Sequence, residues 1–157
     1  MNRVYNIYSG NGDEYKLCLS DEAWNDLRKE IFEEFGLELI SIELIRVNGT
    51  GVTSNTTLAY IEHLIAEVFL ENPNNVLFYY CDFLNPIPAT TKTILPQEYR
   101  SRLFSLMLER YCKHHNINNV NEVIVRIDGI DEPYIFHLIA KKEHLHKVLQ
   151  ISEKVQM

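Results

Sequence analysis

The chain has 157 residues, only three cysteines, and no glycine-rich phosphate cradle or long apolar run. Each scarcity removes a class of protein. Cys18, Cys81 and Cys112 lie far apart with no C-x-x-C spacing, which argues against a zinc knuckle and against a disulfide framework, so reduced thiols are expected. No stretch approaches eighteen continuous apolar residues, and the opening "MNRVYNIYSGNGDEY" has no apolar h-region. Neither secretion nor membrane spanning is indicated, and the expected location is the cytoplasm. There is no H-E-x-x-H, no G-x-x-x-x-G-K and no G-x-S-x-G, so metal, nucleotide and serine-hydrolase chemistry all lack their usual motif. His114-His115 and His144-x-His146 are spaced so that neither pair shares a helix face, and His63 and His137 bear no spacing relation to them. No metal or cofactor is expected.

What is present is an ordinary globular composition, 46% hydrophobic and 24% charged, long enough for one domain spanning 1–157 to bury a core without staples. The net charge of −7 is concentrated. Residues 13–43 carry ten acidic side chains against three basic ones, leaving the rest of the chain neutral overall. An acidic first third disfavours a phosphate backbone, and the one mildly basic stretch, 92–113, has only five basic residues against two acidic. Nucleic acid is therefore not an expected partner.

Hydrophobic periodicity divides the chain into short elements. Segments 4–9 and 14–20 are β-leaning and joined by "GNGD", a hairpin signal. Ser20 has the chemistry of a helix N-cap, followed by an apolar stripe at Ala23, Trp24, Leu27, Ile31 and Phe35, with Gly36 as a left-handed terminator. Residues 37–47 alternate as a strand with a wet face bearing Glu38, Glu43 or Arg46. A helix over 55–71 stops at "ENPNN", and 76–83 reads as a central strand. Pro96 pre-sets a helix running to about residue 115, strands 120–128 and 134–140 form a second hairpin, and an amphipathic helix with Leu145, Val148 and Leu149 inward, and Ser152 or Val155 as further inward candidates, closes the chain. The expectation is an α+β domain: a mixed sheet of about six strands packed with three to four helices, not a doubly wound nucleotide fold.

The stretch "YYCDFLNPIP" places Asp82 at the end of the most apolar run. On the next helix, Leu103, Phe104, Met107, Leu108 and Tyr111 share a stripe with Arg100, whereas Arg102 points to the opposite flank with Glu109 and Lys113. An arginine on a core-facing stripe needs a partner, because an unpaired buried charge is costly. Asp82 is the expected one, as either a structural ion pair or one side of an anionic-ligand pocket completed by Lys92, Arg100 and Arg102. Cys81, embedded in "FYYCDF", reads as a small core residue, since no base can be placed beside it from sequence.

The segments "NTTLAYIEHLIAEVFLENPNNVLFYYCD" and "YRSRLFSLMLERY" resemble a family of small bacterial proteins classed as a domain of unknown function. There an aromatic strand ends in Cys-Asp and a later helix opens with an R-x-R-x-F-like motif. The likeness covers roughly 37–111 and falls on Cys81, Asp82, Arg100, Arg102, Leu103 and Phe104. It implies no activity, ligand or partner, and the loop "FLNPIPATTKTILPQE" is longer than the family pattern. Acidic and aromatic surface without a complete catalytic set favours a non-enzymatic interaction or accessory module, antitoxin-like or defence-associated, that binds a protein partner or itself, with Tyr5, Tyr8 or Tyr15 as outward contacts. The alternative is a small enzyme or anionic-ligand binder using Asp82 and Arg100.

Overall fold

A computed structural model describes residues 2–10, 12–22, 24–49, 54–81, 95–128 and 133–155. The elements run β1 (Asn2–Tyr8), β2 (Glu14–Ser20), α1 (Asn25–Phe35), β3 (Glu38–Asn48), α2 (Asn55–Leu70), β4 (Asn75–Tyr80), α3 (Pro96–His114), β5 (Val120–Ile127), β6 (Tyr134–Lys141) and α4 (Leu145–Val155), with one 3-10 turn, Lys142–His144, before the last helix. The strands make one mixed sheet in the order β1-β2-β3-β4-β6-β5. All neighbours are antiparallel except β3 and β4, which are parallel and joined by the α2 crossover. This is the expected α+β architecture with two hairpins and four helices.

Helices cover both faces. Leu77 and Tyr79 of β4 point into a core with α2 and α3, and Val76 and Phe78 into a second core with α1 and α4. A central strand buried on both sides needs no polar alternation, which explains the continuous apolar run "NVLFYY". On β6, Ile135, His137 and Ile139 face α3 by the same period-two rule. No described helix is long and apolar enough to cross a membrane.

Three local expectations are corrected. Ser20 does not cap α1: it ends β2, and its Oγ accepts the Glu22 N–H at 3.0 Å in a local turn. The cap position belongs to Trp24 in the left-handed region (φ 55), whose ring packs edge-on against Phe78 at 5.4 Å. That aromatic contact offsets a backbone conformation that disfavours side chains. Arg46 is not on a wet face, because its guanidinium is buried beside Asp13, with N···O 2.8 Å, and over the Tyr15 ring. In α4 Val148 and Ser152 are inward as expected and Val155 is partly buried, but Ile151 joins them and Leu145 and Leu149 are exposed.

Candidate functional site

The C-terminal end of β4, the first turns of α3 and the β5–β6 hairpin converge on one polar chain within an otherwise apolar layer. Ser101 and Ser105 stand one turn apart on α3, so both face the sheet. Ser101 Oγ lies 2.8 Å from His137 Nε2, and His137 Nδ1 lies 2.9 Å from Glu122 Oε2. Glu122 Oε1 accepts the Ser105 hydroxyl at 2.8 Å. Glu122 pairs across the ladder with Ile139, and its side chain reaches His137 diagonally on the same face. His137 is fully buried, boxed by the edge-on Phe104 ring at 5.3 Å and by Tyr79 at 6.2 Å.

The carboxylate sets the direction of the chain. A carboxylate at Glu122 only accepts, so in the tautomer of His137 that carries its proton on Nδ1, that N–H donates to Glu122 and Nε2 presents its lone pair to the Ser101 hydroxyl. Behind Ser101 lies Cys81, near enough for the Ser101 hydroxyl to favour its ionised form. Burial pushes the Cys81 thiol up to about 12, with the Glu122 charge acting in the same direction and Arg100 and Ser101 opposing it. It therefore stays a thiol at neutral pH, which suits a core donor and not a nucleophile.

The four residues expected to form an anionic pocket have different fates. Asp82 and Lys92 lie outside the described residues. Arg100 is enclosed at 2% exposure under α3, against Ile42, Tyr79 and Phe104, and its Nη1 donates to the Leu44 carbonyl at 3.2 Å. Its Nε and Nη2 meet no hydrogen-bond acceptor among the described residues. Arg102 is exposed on the other flank of α3. There Glu98, Ser101, Arg102, Ile124, Arg126 and Ile135 line an open cavity of about 190 Å³. Arg126 is held by Glu98 at 3.1 Å and Asp128 at 3.4 Å.

No protein-family model, curated protein or solved structure matches the chain.

Sequence reasoning did not single out Ser101 or Glu122, and it weighed His137 only as a metal ligand. The only available signal was the Ser-x-x-x-Ser spacing on the stripe side of α3, together with a histidine and a glutamate in adjacent strands of a hairpin. Elsewhere, the cleft between α2 and α3, lined by Phe69, Met107, Leu108, Tyr111 and Ile117, is almost wholly apolar. Glu62 at its edge is tied to Arg110, which leaves that carboxylate poorly placed to orient a ligand. Among the described residues, no three His, Cys, Asp or Glu side chains are grouped to hold a metal.

Proposed function

We propose that the protein binds a small ligand carrying a carboxylate or comparable anionic group in the cavity beside Ser101. The observation that supports this is that Arg102, Arg126 and Ser101 all line one small concavity. Glu98 offsets part of that charge by holding Arg126, so Arg102 is the main anchor. The cavity is well below the roughly 300–1,000 Å³ typical of drug-sized ligands, which limits the ligand to a few heavy atoms per arm. Titration with succinate, malonate and inorganic phosphate, followed by amide chemical shifts, tests the reading. Saturable shifts clustered at α3 and β5, weakened about tenfold by Arg102→Ala and by added salt, are expected. Absence of saturation with all three probes, or indifference to Arg102→Ala, would refute it.

A second reading, a protein-interaction module, rests on a different surface. On β1, Val4 and Tyr8 point away from the side that buries Ile7, and both are exposed, as is Val47 at the β2–β3 bulge. Tyr15 is buried and Tyr5 half-buried against the core, which leaves Tyr8 as the outward tyrosine of the hairpin. This surface excludes the basic flank of α3 and would serve self-association. Light scattering over a wide concentration range decides it: a mass that grows with concentration and reverts in Tyr8→Ser supports the reading, and a constant monomer mass overturns it.

A further inference from the structure

We infer that Ser101, His137 and Glu122 form a nucleophilic relay that hydrolyses small esters whose acyl arm carries a carboxylate. The inference rests on the anion-binding reading for its substrate class, but its chemistry stands on separate geometry. A serine hydroxyl becomes a useful nucleophile when a base within hydrogen-bond reach takes its proton and a third group orients that base. Here the two contacts are 2.8 and 2.9 Å, and the outer carboxylate is itself fixed by Ser105. Phe104 and Tyr79 hold the imidazole plane, so the ring orientation does not have to be found during reaction. Ser101 is partly exposed and lines the same cavity as Arg102 and Arg126, so a carbonyl docked there meets the hydroxyl without the buried histidine having to move. A purely structural strut has no need to end on an open concavity flanked by two arginines.

In the first half-reaction Ser101 Oγ forms a bond to the carbonyl carbon while its proton passes to His137 Nε2. Collapse of the tetrahedral adduct breaks the ester C–O bond, and Nε2–H gives that proton to the departing alcohol. A water molecule then attacks the acyl-Ser101, releasing its proton to Nε2. The second collapse frees the acid, and the proton returns to Ser101. The arginines hold the remote carboxylate and so position the carbonyl carbon against Ser101.

The test uses the whole chain. A fluorophosphonate probe followed by peptide mass spectrometry should place the label on Ser101, and mono-p-nitrophenyl succinate should be cleaved faster than neutral p-nitrophenyl propionate. Ser101→Ala, folded by circular dichroism, should lose about 100-fold or more in turnover. Glu122→Gln keeps an acceptor for His137 Nδ1 but removes its charge, so probe labelling should slow about tenfold or more and its pH profile should shift. A folded wild-type protein that is neither labelled nor active, a label on another serine, or full activity in Ser101→Ala overturns the inference. Succinate binding without turnover would leave the anion-binding reading standing. Turnover with no preference for the anionic ester would instead remove that reading and keep the relay.

Discussion

Replacing Gly49 by alanine should cost far more than an exposed turn position would suggest. Gly49 has φ +106, and a Cβ there would sit 1.9 Å from Asp13 Oδ1, 2.8 Å from its Cγ and 3.1 Å from its Cα. The carboxylate must therefore swing away, and the backbone atom behind it leaves little room for a compromise. Asp13 is the counter-ion of Arg46, with N···O 2.8 Å and side chains 5% and 7% exposed. The contact is an ion pair and not an aligned hydrogen bond, because none of the buried Arg46 nitrogens meets an acceptor along its N–H axis among the described residues. Breaking a buried pair from one side costs roughly 3–5 kcal/mol, and the left-handed conformation adds about 1–2 kcal/mol for a residue with a Cβ. At about 2–4 °C per kcal/mol for a chain of this size, Gly49→Ala should lower Tm by roughly 8–28 °C. Gly12→Ala is the control: φ is +89, but nothing lies within 4 Å, so only the strain of about 1–2 kcal/mol remains. Calorimetry on both variants and on Asp13→Ala/Gly49→Ala completes the test, since removing the obstructed carboxylate should make the two substitutions strongly non-additive. Equal Tm losses in Gly49→Ala and Gly12→Ala, or additivity in the double variant, would refute the steric argument.

The alkaline limb of stability should carry a contribution from Cys81. Its ordinary value is 9.0 and its folded value about 12, so between those limits the unfolded chain loses a proton that the folded chain keeps, and stability falls as pH rises through that window. The slope from this group reaches about 1.4 kcal/mol per pH unit, and urea melts of wild type and Cys81→Ala at stepped pH should differ by it, with the steeper fall in wild type. Cys18 and Cys112 are also pushed up by burial, so the comparison between variants carries the result and the raw slope does not. Ser54→Ala removes the oxygen that accepts the Thr57 N–H at the start of α2 and should cost about 1 kcal/mol by urea denaturation. Asn75→Ala deletes the buried amide that donates to the Val68 carbonyl at 2.9 Å, with an expected loss of about 1–3 kcal/mol in the same assay.

The anchoring elements were legible because their signals are local. The "NVLFYY" strand, the 55–71 helix ended by proline, and both hairpins follow from apolar periodicity and turn chemistry, which belong to neighbouring residues. Arg100 on the stripe side of α3 and Arg102 off it could likewise be read from 100° per residue. Ser20 misled because a serine before acidic residues caps a helix only if the chain turns there, and the β2–β3 pairing carries β2 through to Ser20 itself. Arg46 misled for a related reason: strand alternation shows which side a residue takes but not whether a loop aspartate covers that side.

What the amino-acid order determined alone was the set of elements, the two-sided burial of β4 and the absence of standard catalytic motifs. The hydrogen-bonded Ser101–His137–Glu122 chain was decided by tertiary structure. Ser101, Glu122 and His137 are separated by 15 to 36 positions on a helix and two strands, and they meet only because the β5–β6 register sets Glu122 diagonal to His137 while α3 lies over that ladder with Ser101 turned down. Helix azimuth and strand register depend on how whole faces pack, so no short window of sequence carries them.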